Sequence, residues 1–222
     1  MERKRKSYII LTEGYEKDFP KQIGKEDVRT KESLLRYLYK EFTKEGDKII
    51  DIFAGFGTML TVAEQINRIP FGIELRKNFY DYIRSNLKLK ENIIHGDAGK
   101  LSSFNLPMMD FAITSPPFMC KTDSEYALSS YSSEGTYEQY LVELKKIFYS
   151  LRNIMKPDAY VVLLLSNIRR KRDGITTLAW DVGKLASEVF YFVDEIIVID
   201  ESEDESEYLG FDHSYCLIFR NQ

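Results

Sequence analysis

Two short segments carry residues able to do chemistry: Asp51-Ile52-Phe53-Ala54-Gly55-Phe56-Gly57-Thr58 and Thr114-Ser115-Pro116-Pro117-Phe118. Each follows an apolar run that reads as a buried parallel strand. In the first, Gly55 and Gly57 stand where a strand gives way to a helix. Glycine there allows positive φ and lets a ligand lie against bare backbone. In the second, proline fixes the backbone, so the Ser115 hydroxyl and the Pro116 carbonyl are rigid hydrogen-bond acceptors, and Phe118 adds an aromatic face for stacking. The pair suits a nucleotide-like cofactor on one side and a flat, amine-bearing substrate on the other. Taken singly, the G-x-G also fits a ligand-free turn, and S-P-P-F a mere strand-ending turn.

Two further acids narrow the choice. Glu74 ends the next strand, 23 residues after Asp51, and Asp97 ends the one after, another 23 residues on. An acid at the first position can accept hydrogen bonds from ribose hydroxyls, and one at the second from an adenine amine. A dinucleotide fingerprint would place a third small residue three positions after Gly57, where Leu60 stands. Asp51 precedes the glycines, which is unfavourable beside a pyrophosphate and suitable beside a cationic amino-acid moiety. The pattern points away from NAD and towards S-adenosylmethionine.

At this point the chain resembles a family. Residues 51–58 are similar to the D-P-F-x-G-x-G-T cofactor motif of amino-directed DNA methyltransferases, the enzymes that modify cytosine N4 or adenine N6. Phe71-Gly72-Ile73-Glu74 and Gly96-Asp97-Ala98 resemble the next two cofactor motifs, and residues 110–118 the catalytic motif of the N4-cytosine branch, usually S-P-P-Y/F/W. The ending, His213 to Arg220, resembles that family's last strand. The resemblance covers roughly residues 25–220, with two departures: Ile52 replaces the usual proline and Phe56 the usual small residue. It implies S-adenosyl-L-methionine as cofactor, held by Asp51, Phe53, Gly55, Gly57, Thr58, Glu74, Asp97 and Ala98. It implies Ser115, Pro116, Pro117 and Phe118 as the catalytic segment. Serine in first position favours cytosine N4, because Asp or Asn is more usual in N6-adenine enzymes.

The residues suit that reaction. The lone pair of an exocyclic amine is delocalised into its ring, and acceptors that bind the amine hydrogens favour a pyramidal, nucleophilic nitrogen. Ser115 and Pro116 offer such acceptors, and Phe118 a stacking face for a base turned out of its helix. The methylated amine becomes acidic, so no strong base is needed before attack, in keeping with a motif that contains no histidine. Cys120 lies just past the turn, but a cytosine-C5 enzyme would need a Pro-Cys nucleophile motif, which is absent; Cys120 reads as a buried thiol.

These residues need a scaffold, and the patterning supplies one. A helix is expected over 30–42, a strand over 48–53, a helix over 59–66, a strand over 70–75, a helix over 79–87 and a strand over 92–95. A strand over 109–114, a helix over 137–155, a strand over 160–165, a helix over 176–189 and strands over 192–199 and 214–219 complete the series. The alternation predicts a Rossmann-like, doubly wound α/β fold with a mostly parallel seven-stranded sheet and a terminal antiparallel hairpin; the resemblance implies that this is the class I methyltransferase fold. The Ser/Tyr-rich stretch 119–135 reads as a loop able to close over a site.

Composition sets outer bounds. With 222 residues, 44% hydrophobic, the chain suits a single domain over 1–222, with residues 1–30 as an extension. Its net charge of −4 excludes a polycation, so nucleic-acid binding must rest on local patches. Two such patches exist, Arg3-Lys4-Arg5-Lys6 and Arg169-Arg170-Lys171-Arg172, while residues 200–207 are acid-rich. Two cysteines are too few for a disulfide framework and two histidines make a histidine-rich metal site improbable. No signal-like or membrane-length apolar run is present, and a cytoplasmic protein is expected.

No separate target-recognition domain is evident. The candidates for recognition are the 119–135 loop with Tyr126, Tyr131 and Tyr137, the basic 166–175 loop and the first 30 residues. Recognition is either minimal or supplied from outside, by a homodimer partner or a separate subunit. DNA is the expected nucleic acid, with RNA as the alternative, and a catalytically silent cofactor-binding module the alternative from another class.

Overall fold

The computed structural model describes residues 6–16, 18, 29–201 and 210–222. The chain runs β1 (Tyr8–Leu11), α1 (Glu32–Phe42), β2 (Lys48–Asp51), α2 (Thr58–Gln65), β3 (Ile69–Glu74), α3 (Lys77–Asn86), β4 (Ile93–His95) and β5 (Met109–Thr114). It continues with α4 (Tyr137–Ile154), β6 (Met155–Leu165), β7 (Ile168–Arg170), β8 (Gly174–Thr176), α5 (Leu178–Ser187), β9 (Tyr191–Asp200) and β10 (His213–Arg220). Eight strands form one sheet in the order β1-β9-β10-β6-β5-β2-β3-β4. β10 runs antiparallel to both β6 and β9, and the other pairings are parallel.

The doubly wound sheet expected from the alternation is present, because each helix buries one apolar stripe against it. On one face, Leu34, Leu35, Leu38 and Tyr39 of α1 join Met59, Val62 and Ala63 of α2 over Ile49, Phe111, Ile113 and Val162. On the other, Leu144, Phe148 and Leu151 of α4 and Val182 and Ala186 of α5 cover Ile50, Ala112, Val161, Leu163 and Phe219. Gly72 of β3 allows α2 to sit close to the sheet: a Cβ there would lie 2.4 Å from Leu60 Cδ1.

Three features differ from expectation. The sheet has an eighth strand, β1, drawn from the segment expected to be an extension; it pairs parallel with β9, Tyr8 opposite Ile197. Ile9 and Leu11 turn towards the α1 core while Tyr8 and Ile10 stay exposed, an alternation too short to stand out beside the basic residues before it. Strand β6 begins at Met155, taking in the Pro157-Asp158 stretch, so α4 stops at Ile154. The basic stretch expected as a loop is a two-stranded ribbon, β7 and β8, with Arg170 opposite Gly174. The Arg3–Arg5 stretch and most of the 200–207 acidic run lie outside the described residues.

Tyr39 ties the first helical layer together. Its buried hydroxyl donates to the Met59 carbonyl at 2.7 Å, and its ring meets Phe111 edge-on at 5.9 Å. Tyr39→Phe leaves that carbonyl unsatisfied and is expected to lower stability by about 1–2 kcal/mol. The check is urea unfolding: a lower midpoint at unchanged m is expected.

Candidate active site

β2 and β5 lie side by side, and the chain leaves them in opposite directions across the sheet, so a crevice opens at their carboxyl ends. A cleft of about 610 Å³ occupies that position. It is lined by Asp51, Phe53, Gly55, Thr58, Glu74, Asp97 and Ala98, and equally by Ser115, Pro116, Pro117 and Phe118. Of the residues singled out from sequence, Gly57 alone does not line it. Gly57 adopts φ +74° as the residue before α2, and a Cβ there would lie 2.7 Å from Ile83 Cγ1; it shapes the turn.

The glycine turn is held by the acids around it. Asp51 is buried, and its Oδ1 accepts from the Phe53 amide at 3.0 Å and from the Thr114 hydroxyl at 2.7 Å. Burial pushes its carboxyl up to about 7, against the pull of those two donors and with a further push from Glu74. Glu74 Oε2 accepts from the Gly55 amide at 2.7 Å, and its Oε1 from the Arg76 amide at 2.8 Å. Gly55 itself has φ +51°. Asp97 caps the 3₁₀ turn Ala98–Ser103, accepting from the Gly99 amide at 2.8 Å. Glu74 and Asp97 therefore stabilise their own loops while lining the cleft.

Several cleft residues lie outside the twelve expected from the motifs. Phe56, the departure from the family pattern, packs edge-on against Phe79 at 4.7 Å, and the Arg76 guanidinium lies 3.5 Å from the Phe79 ring centroid. Arg29 and Thr30 close the rim from the segment before α1, anchored by Tyr15, whose hydroxyl donates to the Arg29 carbonyl at 3.0 Å. Next to them Lys31 is buried and pairs with Asp200 at 2.9 Å.

The loop tyrosines separate into two roles. Tyr126 and Tyr137 are buried, Tyr137 donating to Asp181 at 3.0 Å, so neither presents a face for stacking. Tyr131 remains exposed at the cleft, and its hydroxyl donates to the Phe118 carbonyl at 2.8 Å. Ser130 and Tyr131 adopt φ of +54° and +63°, an uncommon backbone for residues with side chains. That turn places Tyr131 beside the Ser115–Phe118 segment. Cys120 is buried, with its thiol raised by burial.

The donor set fits S-adenosylmethionine. A buried carboxylate whose pKa is raised by desolvation is relieved by a cationic ligand, and Glu74 and Asp97 offer acceptors along the same wall. A pyrophosphate would face Asp51 and Glu74 instead.

Comparison with known proteins agrees in fold. Residues 20–85 match the model of the family described as DNA methylase, N6_N4_Mtase. Over 79 residues the chain is 34% identical to the type II methyltransferase M2.DpnII of Streptococcus pneumoniae, a stretch covering 36% of this chain and 30% of that protein. TrmN from Thermus thermophilus superposes with a TM-score of 0.61 at 16% identity, over 86% of this chain and 49% of that one. The PH0226 protein from Pyrococcus horikoshii OT3 gives 0.58 at 19% identity, over 92% and 96% of the two chains. The N-methyltransferase NodS from Bradyrhizobium japonicum WM9, in complex with S-adenosyl-L-homocysteine, gives 0.54 at 13%, over 86% and 85%. The fold is that of the class I S-adenosylmethionine-dependent methyltransferases.

Asp51 makes stability depend on pH in a defined direction. Its folded pKa lies above the ordinary aspartate value, so between about 4 and 7 the folded state holds a proton that the unfolded state has lost. Its contribution to stability therefore falls as pH rises through that window, by an amount on the order of 4 kcal/mol. Asp51→Asn removes the dependence. In urea titrations from pH 5 to pH 8, the wild type is expected to lose stability relative to Asp51→Asn; parallel curves would contradict the assignment.

Proposed function

We propose that this protein is an S-adenosylmethionine-dependent methyltransferase acting on the exocyclic amine of a DNA base, cytosine N4 in the first instance. The observation that carries this reading is a single cleft lined both by the glycine turn with its strand-end acids and by the Ser115–Phe118 segment. The match to the DNA methylase family over residues 20–85, and the likeness to M2.DpnII, support the class of reaction and the choice of DNA. The serine of S-P-P-F supports cytosine over adenine.

Bound S-adenosylmethionine supplies a methyl group on a sulfonium; its transfer forms the new N–C bond, leaves a neutral thioether, and gives an aminium that sheds one proton. Asp51 answers the positive charge of the cofactor's amino-acid end, which stabilises its own ionised form. Glu74 and Asp97 accept hydrogen bonds from the nucleoside end. Ser115 Oγ and the Pro116 carbonyl accept from the target amine and hold its lone pair out of conjugation. Phe118, its carbonyl tethered to Tyr131, stacks on the base and fixes its plane. Positioning of two bound reactants supplies much of the acceleration. The proton shed after transfer leaves through water at the open cleft.

The test is transfer of radiolabelled methyl from S-adenosylmethionine to duplex DNA, single-stranded DNA and total RNA, followed by nucleoside mass spectrometry. N4-methylcytosine from DNA is expected. N6-methyladenine would overturn the base, label confined to RNA the polymer, and no label despite cofactor binding the activity itself. Ser115→Ala is expected to lower turnover about a hundredfold with unchanged cofactor affinity by calorimetry. Equal loss of cofactor binding would refute the division of roles.

A further inference from the structure

We infer that the β7–β8 ribbon is the element by which this chain grips duplex DNA beside the target base, its tip residues Lys171 and Arg172 seated on the phosphate backbone. This rests on the nucleic-acid reading above, and it assigns a task to the basic patch that the catalytic chemistry leaves unused.

Position comes first. The ribbon follows β6, the neighbour of β5 in the sheet, and so stands at the same carboxyl-end rim as Ser115–Phe118. A second cleft, of about 550 Å³, separates the two and is lined by Phe118, Tyr131, Ile168 and Arg170 together with the 122–125 stretch. Phe118 and Tyr131 line both clefts. A strand of nucleic acid that delivers a base to Phe118 across this second cleft passes the ribbon.

Charge and rigidity point the same way. The four consecutive cations are not equivalent. The Arg169 guanidinium lies 4.3 Å from the Phe211 ring centroid, and Arg170 pairs with Asp123. Lys171 and Arg172 occupy the exposed turn and form no ion pair or hydrogen bond among the described residues. Gly174, at φ +74°, closes that turn and holds the two cations outward at the tip. The Arg170–Asp123 pair and a Thr122–Asp173 hydrogen bond of 3.0 Å brace the ribbon against the loop that carries Tyr131. In a chain with a net charge of −4, a braced projection with two uncommitted cations beside the cleft is a surface complementary to phosphate.

The test compares Lys171→Ala/Arg172→Ala with a control pair, Lys88→Ala/Lys90→Ala, exposed at the far end of the sheet. Binding of a short duplex is measured against salt concentration by fluorescence anisotropy, with cofactor affinity by calorimetry. The ribbon variant is expected to bind about tenfold more weakly at low salt, with a log K against log salt slope shallower by about 2, one phosphate contact per cation. The control pair should keep the wild-type slope, and cofactor affinity should not change in either variant. Wild-type affinity and slope in the ribbon variant overturn the inference, as does an equal loss in the control pair, or a wild type that binds no duplex. Methyl transfer to a single-stranded oligonucleotide separates the two readings. If the ribbon variant methylates it and also keeps wild-type duplex affinity and slope, the catalytic reading stands and the ribbon falls; if no polymer is methylated, the catalytic reading falls while the salt slopes still decide the ribbon.

Discussion

The hydrogen bond from the Thr114 hydroxyl to the Asp51 carboxylate is the constraint on which the rest of the site depends. It joins the carboxyl ends of β2 and β5 across the point where the chain turns away in both directions. On one side of it lies the glycine turn, on the other the Ser115–Phe118 segment. Both groups are buried, so the bond is not shared with solvent and an acceptor left alone there would be costly. The β2–β5 ladder sets the distance between the two halves of the cleft, and this short polar contact fixes it at the point where the ladder ends.

The same contact explains the electrostatics. Two donors to Asp51 are not enough to offset its desolvation, so the carboxyl sits near neutrality. Glu74, only slightly exposed, is anchored instead by the Gly55 and Arg76 amides. The apolar layers on the two sheet faces set this polar row between them at its carboxyl rim. Acids at successive strand ends therefore do two things at once: they terminate their strands by capping the following turns, and they leave the cleft with an excess of acceptors.

Much of this was legible in the sequence. Residues 109–114 and the helix starting at Tyr137 fell where the periodicity placed them, because both segments bury an unbroken apolar stripe and are bounded by strong stop signals. All but one of the twelve site residues line one cleft, because glycine, proline and strand-end acids report backbone geometry directly. What was not legible depended on contacts distant in sequence. The edge strand Tyr8–Leu11 exists because β9 offers it a partner. The basic ribbon forms because Ile168 and Thr176 pair across a glycine-closed turn. Phe56 was visible as a departure, yet its partner Phe79 lies in the next helical segment. Tyr131 could not be distinguished from Tyr126 by spacing, since both belong to one irregular stretch and only the packing around them leaves one exposed and the other buried.

Helix α4 begins with a complete capping box: Thr136 accepts from the Gln139 amide, and the Gln139 side chain accepts from the Thr136 amide. The helix thus fixes its own first turn without help from the residues that precede it. The 119–135 segment therefore meets a fixed helix start at its downstream end and a proline pair at its upstream end, and Met119, Cys120, Tyr126 and Ala127 anchor it in the core between them. Between those anchors the exposed residues 131–134 can change without opening the core. Because Asp123 and Thr122 reach across to Arg170 and Asp173, the ribbon and this loop form one braced rim, and a substitution on either side of those contacts is felt on the other.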